Sequence, residues 1–203
     1  MNWLAHLYLA ESNIEACLGN LLADLVKGPD RRNMPAKFAR GMRLHQAIDI
    51  FTDVHPVVHR SRARIKGDYR HFTGILVDVF YDHYLALDWD RYASEPLDVF
   101  TARLYAEILA HPITLPTDAQ TALDRMVADD RLGSYRQIAG IAAALQRVSM
   151  RLSARTGKHF ALETAVSELV ANFDALRDDF AAFFPELREH AERWKASEPA
   201  IGA

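Results

Sequence analysis

Apolar residues recur along this chain with the period of an α-helix rather than that of a β-strand. The clearest example is residues 12–26, where Ser12 and Glu15 have the spacing of a capping box and Gly28 followed by proline ends the pattern. Side chains three and four positions apart lie on one face of a helix. The apolar positions that form this face are Ile14, Leu18, Leu21, Leu22 and Leu25.

The same periodicity predicts helices through most of the remaining chain and no strand. A basic segment, residues 59–66, follows the second predicted helix, and a polar tail is predicted from residue 186 to the end. We found no internal repeat and no linker, so the pattern predicts an all-α, single-domain helical bundle over residues 1–203. The further predicted helices cover about residues 36–54, 72–92, 97–110, 117–130, 135–154 and 162–184.

Composition narrows the chemistry that this bundle can carry. Half of the 203 residues are apolar and a quarter are charged, which is typical of a soluble globular protein. The net charge of −3 gives no general attraction to nucleic acid or membrane, and without a signal peptide or an apolar span we expect a cytoplasmic protein. Cys17 is the single cysteine, so a metal site would consist of His and carboxylate ligands, which suit Mn, Fe, Mg or Zn.

The segment Arg43–Asp53 carries the first candidate site. His45 and Asp49 are four residues apart and share one face of the predicted helix, among apolar neighbours. Burying either group alone would cost several kcal/mol. Two arrangements satisfy the pair: a bound metal ion, or a His–Asp hydrogen bond inside the core.

Two other early segments place ionisable groups in apolar surroundings. The nearly all-apolar helix predicted at 72–92 carries Asp78, Asp82 and His83, which is costly unless they are paired or bind metal. Asp24 borders the first apolar stripe and is either a solvated flank or part of a cleft, and His6 is either a core histidine or a functional one. Acids and imidazoles on several helices form metal sites in helical bundles.

No local signature of a nucleotide-binding loop, a nucleophile elbow or a zinc protease occurs in the sequence. Four early segments, in their order and spacing, resemble acyl-carrier-protein phosphodiesterases, also called holo-ACP hydrolases. The closing segment NFDALRDDFAAFFPELREHA is similar to the end of the same family. The early segments are MNWLAHLYLA, GNLLADLVKG, RLHQAIDIFTD and VDVFYDHYLALDW.

That family is described as a divergent relative of the HD-domain metal phosphohydrolases, so the resemblance implies an HD-domain-like fold. This sequence has no His-Asp dipeptide in that order; it has His45-x-x-x-Asp49 and the reversed Asp82-His83. The resemblance implies hydrolysis of holo-acyl carrier protein to apo-protein and 4′-phosphopantetheine, with Mn²⁺ favoured over Mg²⁺. A divalent ion would neutralise the phosphodiester and lower the pKa of the attacking water.

Together, the residues and the resemblance suggest a set of site residues. We expect catalytic roles for His6, Asp24 and His83, one of these histidines donating a proton to the departing serine oxygen. The expected metal ligands are Asp24, His45, Asp49, Asp78 and Asp82.

Acyl carrier proteins are typically strongly acidic, so an acidic enzyme needs a local basic surface to attract one. The basic segment is the candidate, through Arg60, Arg62, Arg64 and Lys66. Two other functions stay open: an HD-type phosphohydrolase acting on nucleotides or other small phosphodiesters, and a helical binding module without enzymatic activity.

Overall fold

A computed structural model describes residues 1–198 and confirms the all-α prediction. Within that range the chain forms α-helices and three 3₁₀ turns, and no strand. The helices are α1 (Trp3–Leu9), α2 (Ile14–Leu22), α3 (Gly28–Arg32), α4 (Ala36–Val54), α5 (Pro56–Arg64), α6 (Thr73–Leu87), α7 (Leu97–Ala110), α8 (Thr117–Ala128), α9 (Arg131–Ser134), α10 (Ile138–Thr156), α11 (Val166–Ala171) and α12 (Phe173–Ser197). None of the described helices is both long enough and apolar enough to cross a membrane.

Several helix ends differ from the sequence predictions: the predicted helix 12–26 ends at Leu22, and the predicted helix 162–184 is divided between a 3₁₀ turn, α11 and α12. The cap of α2 is Asn13 rather than Ser12: the Asn13 side chain accepts hydrogen bonds from the backbone N–H groups of Glu15 and Ala16. The predicted polar tail from residue 186 is also wrong within the described range, because α12 runs through Pro185 to Ser197.

Pro185 removes one backbone hydrogen bond from α12 but does not end it. The apolar face of the helix continues on both sides of the proline, and its burial compensates for the lost bond. The buried residues of this face next to the proline are Phe183, Phe184, Leu187 and Ala191. Residues 199–203, the end of the predicted tail, lie outside the described residues.

Helix α6 is the centre of the core, as its apolar composition predicts. Its residues from Leu76 to Ala86 are buried except for Asp78, and it packs against α1, α5, α10 and α12. Aromatic rings join it to α12: Tyr81 meets Phe180 edge to face, with ring centroids 5.4 Å apart. Because its neighbours hold α6 in place, α6 provides a fixed surface against which α1 packs.

Two glycines bring α2 and α4 into backbone contact. A Cβ atom on Gly19 would lie 2.0 Å from the carbonyl oxygen of Phe38, and one on Gly41 would lie 1.9 Å from that of Ala16. Real side chains do not tolerate such distances, so only glycine permits this approach. The contact sets how far Asn20 on α2 lies from His45 on α4.

Replacing either glycine by alanine should force α2 and α4 apart. We expect Gly19→Ala and Gly41→Ala each to lower the free energy of unfolding by at least about 2 kcal/mol, because the added methyl meets rigid backbone. Denaturant unfolding followed by circular dichroism measures this change.

Gly74 in α6 is the matched control. A Cβ there would lie 3.5 Å or more from its nearest neighbours, which are side-chain atoms of Arg62. Gly74→Ala should therefore leave stability unchanged or raise it by up to about 1 kcal/mol. Equal losses at all three positions would contradict the close-contact explanation.

Candidate metal centre

Two imidazoles and a carboxylate come together from α1 and α4. The rings of His6 and His45 stack with centroids 4.0 Å apart and an interplanar angle of 17°. Asp49, one turn beyond His45, directs its carboxylate at both rings: Oδ1 is 3.2 Å from His6 Nε2 and Oδ2 is 3.0 Å from His45 Nε2. One donor atom from each residue lies within 4.8 Å of the others.

Asn20 of α2 fixes the orientation of both imidazoles. His6 Nδ1 lies 2.9 Å from the side-chain oxygen of Asn20, whose amide nitrogen donates in turn to the backbone carbonyl of His6. His45 Nδ1 lies 2.8 Å from the backbone carbonyl oxygen of Asn20. Since both partners are acceptors, each Nδ1 must carry the proton, and each neutral ring then has its lone pair on Nε2.

The two Nε2 atoms therefore have the free lone pairs that a metal ligand requires. Both are buried, and neither makes a hydrogen bond to any of the described residues. Two lone pairs and a carboxylate that face one another are stabilised by positive charge; the Met1 ammonium, 3.3 Å from Asp49 Oδ1, supplies one such charge, and a bound cation would supply another. The donor set of two imidazole nitrogens and a carboxylate oxygen fits a divalent cation such as Zn²⁺, Mn²⁺ or Fe²⁺.

The electrostatics of the cluster favour the forms that bind metal. Burial, together with the neighbouring His45, lowers the pKa of His6 to about 4, so this ring is neutral at neutral pH. Burial alone would raise the pKa of Asp49, but hydrogen bonds from His45 and His6 in their Nε2-protonated forms, together with the Met1 ammonium, hold it well below its usual range, so this carboxylate is ionised. Neutral imidazole and ionised carboxylate are the forms that coordinate metals.

Two further carboxylates border the cluster. Asp24 has a side chain that is 85% exposed, and its Oδ2 lies 3.8 Å from His45 Nε2. Asp78 lies on the other side: the Met1 ammonium is 3.3 Å from Asp78 Oδ1 and 3.3 Å from Asp49 Oδ1. Burial raises the pKa of Asp78, and the Met1 ammonium opposes that effect.

Asp82 and His83 of α6 lie outside this group. Asp82 is fully buried under α1 and accepts hydrogen bonds from the backbone N–H groups of Leu4 and Ala5, at 2.7 and 3.1 Å. It therefore satisfies the first turn of the helix that carries His6. His83 Nδ1 bonds to the backbone carbonyl of Tyr135 at 2.7 Å. Both contacts satisfy groups that the sequence left unexplained.

Comparison with known proteins identifies the family of this chain. A family model described as acyl carrier protein phosphodiesterase matches residues 1–187. The chain belongs to the acyl carrier protein phosphodiesterase family. This confirms the resemblance carried by the early segments.

Curated relatives in the acyl carrier protein phosphodiesterase family match over nearly their whole length. Proteins of that name from Yersinia pestis, Photorhabdus laumondii and Escherichia coli O6:H1 are 32%, 34% and 31% identical to this chain. Each alignment covers 95% of this chain, and the three cover 98%, 96% and 98% of the respective relatives. No solved structure matches the chain.

In this member of the acyl carrier protein phosphodiesterase family, the three arginines of the basic segment form ion pairs with carboxylates of the same chain. Arg60 and Arg64 both bond to Asp179 of α12, at 2.7 and 2.9 Å, and Arg62 pairs with Asp53. Only Lys66, the fourth candidate, has a side chain without an ion pair among the described residues. Carrier-protein docking at this segment stays a prediction, and the three arginines have a structural role there.

Two contributors to the site could not be assigned from sequence. Asn20 received no role from the sequence, although a polar residue at the border of an apolar helix face was the available signal. The Met1 amino group has no sequence signal, because its contact with Asp49 depends on how α1 packs. His6 was a candidate, and the structure places it beside His45.

Asp179 should stabilise the fold in a pH-dependent way. Burial opposes its ionisation, but Arg64, Arg60 and Ser61 hold its pKa below the ordinary value of 3.8. Because the pKa is lower in the folded state, this stabilisation is present above about pH 4 and is lost as the pH falls through the folded-state value. We expect Asp179→Asn to lower the free energy of unfolding by about 2 kcal/mol at pH 7 and to weaken its acid dependence.

Asp178 provides the control for that measurement, because it is the adjacent residue of α12 and is exposed. Asp178→Asn should leave the unfolding free energy and its pH dependence nearly unchanged. Denaturant titrations of both variants between pH 3 and pH 7 test the pair. A stable Asp179→Asn protein with wild-type pH dependence would contradict the assigned role.

Proposed function

We propose that the protein is a metal-dependent phosphodiesterase that hydrolyses holo-acyl carrier protein to apo-acyl carrier protein and 4′-phosphopantetheine. The observation that carries the proposal is the pair of buried, unpartnered Nε2 atoms of His6 and His45 facing Asp49. The family supplies the substrate class. Mn²⁺ or Mg²⁺ is the proposed ion.

The residues divide into ligands and supporting groups. His6 and His45 would bind the ion through Nε2, and Asp49 would bind it through its carboxylate. Asp24, 3.8 Å from His45 Nε2, would complete the ligand set directly or through water, whereas Asp78 is linked to Asp49 by the Met1 ammonium that contacts both. When bound, a divalent ion neutralises the phosphodiester and makes the attacking water more acidic.

Proton transfers follow from exposure and pKa. Asp24 is the most exposed carboxylate next to the cluster and is placed to accept the proton of the attacking water. His6 remains neutral at neutral pH and so binds the ion rather than donating a proton. His83 is committed to the Tyr135 carbonyl, so we assign the proton of the departing serine oxygen to solvent at the exposed side of the site.

Loss of a proposed ligand should abolish both ion binding and turnover. We expect His45→Ala and Asp49→Ala to lose Mn²⁺ binding in calorimetric titration and to lose hydrolysis of holo-acyl carrier protein by at least about a hundredfold. Mass spectrometry of the carrier protein detects the loss of phosphopantetheine. Adding a chelator to the wild-type protein should have the same effect on turnover, and restoring Mn²⁺ should reverse it.

His71, which is exposed, is the control residue, and His71→Ala should bind Mn²⁺ and turn over like the wild type. A panel of nucleotide phosphodiesters assayed beside holo-acyl carrier protein separates the carrier-protein activity from a small-molecule phosphohydrolase. Full turnover by both ligand variants, or by protein stripped of divalent ions, would overturn the proposal.

Asn20 should act on the ion through His6. Asn20→Ala removes the side-chain oxygen that holds the proton on His6 Nδ1 but keeps the backbone carbonyl that orients His45. We expect Mn²⁺ affinity to fall roughly 10- to 100-fold, the usual effect of removing a partner of a ligating histidine. Calorimetry measures the affinity, and high Mn²⁺ should restore kcat. Unchanged affinity in a folded variant would show that Asn20 does not orient the ligand.

A further inference from the structure

A groove lies between α8 and α10 on the side of the molecule where the chain starts. Its volume is about 630 Å³, within the range of sites that hold a small molecule or a cofactor arm. Its lining is more apolar than polar. The apolar side chains that line it include Trp3, Leu25, Val79 and Val148. We call this space the α8–α10 groove.

The rim of the α8–α10 groove is basic. Arg125 from α8 and Arg151 from α10 are exposed and make no ion pair within residues 1–198. Arg147 is half-buried, and burial lowers the pKa of its guanidinium. A fourth arginine, Arg131, is already neutralised by Asp129 at 2.9 Å. The three remaining guanidinium groups, which we call the arginine rim, outnumber the one lining carboxylate that has no ion pair, Asp118.

Three residues that line the groove are adjacent in sequence to residues of the candidate metal centre. Asn2 directly follows Met1, Leu25 directly follows Asp24, and Val79 directly follows Asp78. Consecutive Cα atoms are about 3.8 Å apart. The groove therefore lies beside the candidate metal centre, because three of its lining residues are next to cluster residues in the chain.

We propose that the α8–α10 groove seats the pantetheine arm of an acyl carrier protein and that the arginine rim contacts the acidic surface of that protein. The inference rests on the proposed function and adds the docking surface to it. Charge complementarity and the shape of the groove carry it. An arm of amides and methylenes suits an apolar floor, and carboxylates suit the unpaired guanidinium groups. The arginines of α5 lack this freedom because Asp179 and Asp53 hold them.

The rim is tested by charge reversal. We expect Arg125→Glu with Arg151→Glu to raise KM for holo-acyl carrier protein roughly tenfold and to weaken its salt dependence, with kcat little changed. Hydrolysis of bis(p-nitrophenyl) phosphate with Mn²⁺, which needs no carrier protein, should be unaffected. The matched control is Arg70→Glu with Arg155→Glu, the same change of charge at two exposed arginines that do not line the groove.

The groove itself is tested by filling it from the α8 side. Thr121 is exposed and lines the groove, whereas Gln120 beside it is exposed and does not. Thr121→Trp should raise KM for holo-acyl carrier protein, and Gln120→Trp should not. Wild-type KM in both the charge-reversed and the filled variants would overturn the inference while leaving the phosphodiesterase proposal intact.

Photocrosslinking locates the arm without any turnover. Holo-acyl carrier protein whose thiol carries a diazirine fatty acyl group is irradiated with the wild-type protein in a chelator, and the labelled peptides are identified by mass spectrometry. Label on residues that line the groove, whether on α8, on α10 or at Trp3, supports the proposal, and label confined to residues outside the groove overturns it. If the wild-type protein fails to hydrolyse holo-acyl carrier protein, the proposed function fails, and the crosslink still shows where the arm binds.

Discussion

The site depends on the contact between α2 and α4, which glycine alone permits. Gly19 and Gly41 let the two helix backbones approach until the carbonyl of Asn20 reaches His45. The side chain of the same asparagine reaches His6 on α1. One buried residue thus sets the tautomer of two imidazoles from two helices. The side chain of Asn20 orients His6, and its backbone carbonyl orients His45.

Two buried carboxylates on other helices hold the neighbouring helices in place. Asp82 of α6 binds the first N–H groups of α1 and so positions the helix that carries His6. Asp179 of α12 binds two arginines of α5, the helix that follows α4. Both carboxylates are buried and satisfied by donors within the chain. These two carboxylates position helices, whereas Asp49 faces the imidazoles of the cluster.

The sequence predicted the fold class and most of the helices, because helical periodicity is local. It failed where tertiary packing decides: α12 passes Pro185 because an apolar face is buried on both sides, and α1 is a seven-residue helix too short to show a clear period. His45 and Asp49 could be paired because four-residue spacing places them on one face. His6 lies beside this pair, whereas Asp82 and His83 bond to backbone groups elsewhere. Both outcomes depend on how helices that are distant in sequence pack together.

The adjacency of groove and cluster has a consequence for how such a protein can diversify. Three residues that line the groove directly follow Met1, Asp24 and Asp78, so substitutions at these three positions fall next to the cluster in the chain. The walls on α8 and α10 have no such link. Substitutions on α8 and α10 can therefore change the size or shape of the molecule that the groove would accept. Such substitutions leave the residues of the cluster unchanged.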